Sequence, residues 1–378
     1  MEAQFIPQPL SPVYSCDRTG GFVMPVREKS SKHSSCARIR SVVTMALIVT
    51  MVLFFLPLLF MRGEPLYQKE DTSTPSHTHQ PEATLPIDRV VTTGAAKDKG
   101  RPVRLKTTSG AVVELSMSDY LFGVVAAEMP ASFEPEALKA QACAARTYTV
   151  IRQGSHTDKH PDADICGDSR CCQAYITPED AQARWGEKAQ EYTQKIQQAV
   201  SGSDGLGILY EGQPIQALFF SSAAGKTVDA VEVWGNSVDY LKSVDSPEGD
   251  EVPNYHTQAV LSSQEVKSLL SAAYPSIDLS GDPGTWFGQA SRNAGGGVIS
   301  IPVGGVTLTG SQVRSVLSLR SACFAVSWDG SNFKFDVTGY GHGVGMSQYG
   351  ANAMAKSGDS FRDILTWYYT GTQVDQLW

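Results

Sequence analysis

A run of twenty residues without a charge, Val42 to Met61 (VVTMALIVTMVLFFLPLLFM), does most to constrain what this 378-residue chain can become. Twenty apolar residues are enough to cross the hydrocarbon core of a bilayer as a helix. Pro57, near the far end, is compatible with spanning. A cleavable signal peptide would have a shorter apolar core followed by a small-x-small cleavage site, whereas this run leads into Phe60-Met61-Arg62. A retained anchor is therefore expected. A buried core helix is the plainer alternative, but the segment stands alone in polar surroundings. Before the span, Arg18, Arg27, Lys29, Lys32, Arg38 and Arg40 face Glu2, Asp17 and Glu28, a net charge of +3 for residues 1–41. The positive-inside tendency then puts the N-terminus in the cytoplasm and everything after Arg62 outside it.

The anchor organises the rest. Residues 1–41 are polar, basic and without periodicity, and read as disordered. Residues 62–101 hold STPSHTHQPEATLP and TTGAAKDKG, the composition of a flexible linker. The extracytoplasmic domain is expected over 102–378. The formal net charge of −8 argues against a nucleic-acid partner. Seven cysteines, at 16, 36, 143, 166, 171, 172 and 323, are an odd number and lack the spacing of a disulfide scaffold.

Within 102–378, Val103–Lys106 and Ala111–Leu115 flank Thr108-Ser109-Gly110, a hairpin signal. Ser116 caps a helix running to Glu128, which Pro130 ends. Pro135 suits the first turn of the next helix, whose Leu138, Ala142, Ala145 and Thr149 form one face. A third helix is predicted over 178–200. Strands are predicted at 208–210, 215–220, 298–303 and 333–337, and helices at 263–272, 311–317, 346–356 and 361–368. Helices and mostly antiparallel short strands, without a βαβ rhythm, give an α+β fold class.

Three features carry chemistry. Glu128 lies among small apolar residues (Ala126-Ala127-Glu128-Met129-Pro130) just before a turn, where a carboxyl can be kept protonated and act as an acid near neutral pH. No second carboxylate is plainly paired with it, although Glu134, Glu136 and Asp229 are candidates. His160-x5-Cys166-x5-Cys172, with Cys171 adjacent, is a borderline-soft ligand set that suits zinc. A disulfide among the three cysteines is the competing reading. His156, an acidic loop residue or a water is left for the remaining position. Lastly, Gly339-Tyr340-Gly341-His342-Gly343-Val344-Gly345-Met346-Ser347-Gln348 is dense in glycine, so His342 can approach a ligand, or the glycines serve only tight packing. Phe220-Ser221-Ser222-Ala223-Ala224-Gly225-Lys226-Thr227 ends in GKT but has Phe220 where a phosphate loop needs its first glycine, which excludes a nucleotide site.

The stretch from Glu128 through Arg146, the Ser221-Ser222 turn with Gly225-Lys226-Thr227, the Gly-His-Gly element and Asp363–Thr372 occur in an order that resembles the stage II sporulation protein D family of peptidoglycan lytic transglycosylases. The resemblance covers roughly 103–378 and the single anchor. It implies that Glu128 is the catalytic acid cutting denuded glycan between N-acetylmuramic acid and N-acetylglucosamine. It implies zinc held by His160, Cys166 and Cys172 in a structural role. Arg146, Ser221, Ser222, Thr227, His342, Ser347 and Gln348 are the expected glycan-binding residues. Ala224 stands where the family has a glycine. The implied setting is engulfment during sporulation, on the mother-cell membrane facing the forespore, beside a peptidoglycan amidase and membrane partners. A non-catalytic glycan-binding scaffold that enhances an amidase is the alternative. A zinc peptidase is disfavoured by the absence of H-E-x-x-H.

Overall fold

A computed structural model describes residues 96–154 and 157–378. The expected span at 42–61, the linker up to residue 95 and His156 lie outside the described residues. No helix among the described residues is long and apolar enough to cross a membrane.

The described chain starts earlier than its composition suggests. Helix α1 (Ala96–Lys99) lies within the segment expected to be linker, yet its Asp98 is fully buried. Strands β1 (Pro102–Lys106) and β2 (Val112–Ser116) form the expected hairpin, with Gly110 at φ 91° in its turn. Ser116 then caps α2 (Met117–Glu128) by accepting the Asp119 N–H at 3.1 Å. Met129 is extended, as a residue before proline must be, and the helix stops at Glu128. That stop places a carboxyl at a helix end rather than within the core.

Pro135 opens α3 (Pro135–Gln153), the helix around which the domain is built. It is buried on nearly all sides from Ala137 to Thr149, more widely than the single apolar face read from the sequence. Five alanines in that stretch let neighbouring elements approach closely. Strand β3 (Ile165–Cys166) pairs in parallel with β1. The predicted third helix is in fact two, α4 (Pro178–Trp185) and α5 (Ala189–Gly202), broken where Gly186 adopts φ 57°. Strands β4 (Leu206–Tyr210) and β5 (Gln213–Pro214) follow, then β6 (Phe219–Phe220). The predicted strand over 215–220 is only partly formed, because the Leu218 N–H turns back to the Gln216 carbonyl at 2.9 Å.

After the short α6 (Ala230–Trp234) come β7 (His256–Ser262), α7 (Ser263–Ala273), β8 (Ser291–Arg292), β9 (Val298–Val303), β10 (Val306–Leu308), α8 (Gly310–Leu317), β11 (Phe324–Trp328) and β12 (Asn332–Thr338). These elements enclose an apolar cluster of their own, including Leu270, Val303, Val313, Phe324, Phe333 and Phe335. The chain then returns to the first cluster through β13 (Met346–Ser347), α9 (Gln348–Lys356), α10 (Phe361–Tyr368) and β14 (Gln373–Gln376). Helix α3 packs against α2, α5, α9, α10 and β4. Most strand pairs are antiparallel; β13 joins β6 in parallel. The α+β class holds for the described residues.

Arg146 belongs to this architecture and not to a ligand site. Its side chain is fully buried, donating from Nε to Asp98 Oδ1 at 3.0 Å, from Nη2 to Asp98 Oδ2 at 2.5 Å and from Nη1 to the Leu206 carbonyl at 2.9 Å. The expected role in glycan binding is corrected on that ground: a guanidinium with no exposed surface has none to offer a polymer. It ties α1 to α3 and β4, and removing one partner of such a buried pair costs about 3–5 kcal/mol in general.

Candidate functional site

Glu128 lines a cavity of about 460 Å³ whose walls come from several parts of the chain. The end of α2 supplies Ala127 and Glu128. The loop after β3 supplies Cys172, Gln173 and Ala174. The β6 region supplies Leu218 to Ser221, the glycine-rich loop supplies Tyr340 to His342, and α9 supplies Gln348. Arg314 enters from α8, an element of the second apolar cluster.

The carboxyl of Glu128 is held at both oxygens. The Ala174 N–H donates to Oε1 at 2.6 Å, and the Gln348 amide donates to Oε2 at 3.4 Å. Burial raises its pKa above the ordinary glutamate value, against the lowering pull of those two hydrogen bonds. Among the described residues that line the cavity it is the one carboxylate. Glu134, Glu136 and Asp229 are engaged elsewhere: Glu134 precedes α3, Glu136 pairs with Lys139 at 2.6 Å, and Asp229 caps α6.

The loop that presents Ala174 is fastened on both sides of it, the Ile176 N–H beyond it donating to the Gly123 carbonyl at 3.2 Å. Gln173 is buried and donates to the Tyr120 hydroxyl at 3.0 Å and to Thr149 Oγ1 at 3.1 Å. Just before it, His160, Cys166, Cys171 and Cys172 bring their ligand atoms within 4.8 Å of one another. His160 Nε2 lies 3.2 Å from Cys172 Sγ, and Cys171 and Cys172 Sγ are 3.9 Å apart. His160 Nδ1 sits 3.1 Å from the Ala163 carbonyl, so that nitrogen carries the proton and Nε2 turns a lone pair toward the thiols. All five cysteines among the described residues are free thiols. Tetrahedral zinc with bonds of about 2.0 Å to nitrogen and about 2.3 Å to sulfur would set its ligands ~3.5–3.8 Å apart, so the donor set fits such an ion with small adjustments.

His342 lines the cavity, but not as a proton carrier. The Val344 N–H donates to its Nδ1 at 3.2 Å, which leaves the proton on Nε2, and Nε2 donates to the Phe219 carbonyl at 3.1 Å. Burial and the nearby Arg314 guanidinium push its pKa down to about 4, so the ring is neutral at ordinary pH. Its neighbours are glycines for a definite reason. Gly341 has φ 124°, and a side chain there would put Cβ 2.7 Å from Phe220 Cβ; Gly345 has φ 80°, with Cβ 2.1 Å from the Leu218 carbonyl. Tight packing and a place in the cavity wall are therefore both true of this loop.

The other expected glycan-binding residues divide. Ser221, His342 and Gln348 line the cavity. Ser222 is nearly buried and bridges through its backbone to Tyr340, facing a separate cavity of about 40 Å³. Thr227 is buried and accepts the Val244 N–H at 2.9 Å. Ser347 is fully buried, caps α9 and donates to the Glu248 carboxylate. Thr227 and Ser347 are thus corrected to structural roles, since their hydroxyls are spent inside the fold. Glu248, which also accepts the Ala223 N–H at 2.6 Å, locks the Ser-rich turn to the start of α9. Sequence reading missed Glu248, Arg314 and Trp234. Trp234 is 48% exposed with its ring 6.4 Å from that of His342. None of the three has a local motif; only the distant strands and helices that surround them give them meaning.

Comparison with known proteins adds a second line of observation. Residues 106–210 match the family described as SpoIID, Stage II sporulation protein. The chain is 36% identical over 299 residues to "Stage II sporulation protein D" of Bacillus subtilis (strain 168), covering 78% of this chain and 85% of that protein. It is 36% identical over 272 residues to the protein of the same name from Bacillus amyloliquefaciens, covering 72% and 77% respectively. It is also 29% identical over 303 residues to the "Amidase enhancer" of Bacillus subtilis (strain 168), covering 67% of this chain and 40% of that protein. The matched family segment contains Glu128, the α3 helix and the His160–Cys172 cluster, and identity of this extent along most of both chains places the chain in the stage II sporulation protein D family.

Proposed function

We propose that the chain is a peptidoglycan lytic transglycosylase acting on glycan strands during sporulation, with Glu128 as its acid and base. The observation that carries this reading is a single carboxyl with a raised pKa, the one carboxylate among the described residues that line the 460 Å³ cavity. Glycoside hydrolases ordinarily need two carboxylates, one to protonate the leaving oxygen and one to activate water or attack the sugar. With one, the attacking group is best supplied by the substrate.

In the proposed cycle Glu128 gives its proton to the oxygen bridging N-acetylmuramic acid and N-acetylglucosamine. The bond from that oxygen to muramyl C1 breaks, and the muramyl 6-hydroxyl attacks C1. The Glu128 carboxylate takes up the proton released by that hydroxyl and is restored. The product carries a 1,6-anhydromuramyl end, and no water is consumed. Gln348 and the Ala174 N–H hold the carboxyl in place. The exposed Trp234 and Tyr340 offer apolar surface to sugar faces. Products decide the matter: the full chain incubated with peptide-free strands should yield anhydro ends by mass spectrometry, and reducing ends instead would replace this reaction with hydrolysis.

Zinc on His160, Cys166, Cys171 and Cys172 belongs to the same proposal. Three thiols and an imidazole leave no open position, which fits a structural ion. When bound, it supplies rigidity to the loop that carries Gln173 and Ala174.

The relative named as an amidase enhancer favours a second reading, in which the same groove holds glycan and assists a peptidoglycan amidase without cutting. The two are compatible, since removing stem peptides prepares a strand for cleavage.

The proposed place of action is outside the membrane, in the space between mother cell and forespore, on the strength of the apolar run at 42–61 and its +3 flank. Protease added outside protoplasts should digest the domain after Arg62 and spare a tag placed before Arg38. Digestion of the tag alone would reverse the topology.

A further inference from the structure

The cavity that holds Glu128 also receives a cation for which the fold provides no counter-charge. Arg314 lines it from α8, half-buried, and its Nε donates to the Arg320 carbonyl at 3.1 Å. Among the described residues no carboxylate is paired with it; its ionisable neighbours are the Tyr340 phenol and the His342 ring. Glu128 is not its partner either, since the influences on that carboxyl are burial and the bonds from Ala174 and Gln348. The residue that takes the bond from Arg314 Nε carries a second guanidinium, packed on Tyr340 of the same wall. Arg320 lies with Cζ 4.0 Å from the centre of the Tyr340 ring, and its buried Nε has no hydrogen-bond partner. A partly desolvated cation in the cavity wall, without an acid to answer it and with a second guanidinium stacked on the Tyr340 ring beside it, makes that wall a place for an anion.

A peptidoglycan strand offers one anion close to the scissile bond. The muramyl residue carries a lactyl group on its 3-oxygen. In an intact strand the lactyl carboxyl is tied up as an amide to the stem peptide and is neutral. In a strand stripped of its peptides it is a free carboxylate. We propose that Arg314 is a specificity-determining residue that binds this lactyl carboxylate, so that the preference for peptide-free strands implied by the family resemblance is read through charge at this one side chain. A guanidinium suits the task because its planar fork meets a carboxylate with two parallel hydrogen bonds. The bond that Nε donates to the Arg320 carbonyl fixes the direction of the fork.

The inference rests on the reading of the cavity as a glycan site, and its test separates the two. Peptide-free strands are compared with the same strands after their lactyl carboxylates are converted to primary amides by carbodiimide coupling with ammonia. The two differ in charge and hardly in size. The full chain should cut the carboxylate form about 10- to 100-fold faster. Arg314→Gln should bring that ratio close to one, and Arg314→Lys should leave it in between. Arg314→Gln that keeps the parent ratio, or a parent chain that does not distinguish the two strands, would overturn the proposal. Binding is measured in parallel with Glu128→Gln protein by calorimetry. If no strand is cut but the carboxylate form binds more tightly in an Arg314-dependent manner, the catalytic reading fails and this one stands. Equal binding of both forms, or of neither, overturns this one whether or not cleavage occurs. Circular dichroism confirms that the variants fold, and the comparison of the two strands by the unmodified chain needs no variant at all.

Discussion

Glu128→Gln should abolish release of anhydromuramyl products, lowering the rate by about 10²–10⁴, the usual worth of a positioned general acid. Glutamine has the same shape and keeps an oxygen for the Ala174 N–H, so loss of cleavage will not be a folding defect. Stability gives an independent reading of the same residue. The folded-state pKa of Glu128 is raised, so folding favours its protonated form. The parent therefore loses stability as pH rises from the ordinary glutamate range through the raised value, because the native state then holds a proton that the unfolded state has already released. Glu128→Gln has no such group. Its melting temperature relative to the parent should rise across that window and level off above it. Catalysis should follow the same titration, falling on the alkaline side as the acid form is depleted. A variant that cuts near the parent rate would remove Glu128 from the mechanism. A difference in melting temperature that does not change with pH would show that its carboxyl is not held as the geometry requires.

What the sequence displayed was chiefly local. Ser116, Pro130 and Pro135 mark the ends of α2 and the start of α3 because caps and prolines act on their immediate neighbours. The same economy made Glu128 legible, since a lone acid among alanines at a helix end is visible without coordinates. The cluster of His160, Cys166, Cys171 and Cys172 was legible by ligand type, although Cys171 stood as an extra until its sulfur was found beside the others. Arg146 misled because its surroundings are long-range: its partner Asp98 lies 48 positions earlier, in a segment whose composition reads as tether. A polar residue inside an alanine-rich helix looks available until the chain before it is seen to fold back.

Hydroxyls misled for a related reason. Thr227 and Ser347 sit in motifs that resemble a glycan groove, but each spends its oxygen on the backbone or on Glu248. They build the walls on which Ser221 and Gln348 are displayed. Arg314 shows the reverse. It lies on an unremarked helix of the second cluster, more than a hundred residues from Glu128 in sequence, and only the return of the chain at β13 brings those walls together. Pairing of distant elements is what a single sequence records least.

Removing zinc should lower stability and activity together, because the proposed ion fastens the loop that holds the Glu128 carboxyl. Without a cation the thiols are costly to ionise: burial and its cysteine neighbours push Cys172 up to about 12. Zinc would displace those protons, so binding should strengthen as pH rises and should be counted as part of folding. A ligand present at a thousand times its dissociation constant stabilises the native state by about 4 kcal/mol, which for a domain of this size is a drop of roughly 10 °C in melting temperature on chelation. Cys166→Ser and Cys172→Ser should release the metal, since Cys166 is buried on β3 and Cys172 bonds with His160. Cys171→Ser should bind it more weakly without losing it, because Cys171 is partly exposed and water can take its position. Elemental analysis of protein purified without added metal is the direct check. Less than about a tenth of a zinc per chain, with a disulfide through Cys166, would assign the cluster to redox chemistry instead. Chelation that lowers the melting temperature but leaves the cleavage rate untouched would uncouple the ion from Ala174, and with it the account of how Glu128 is held.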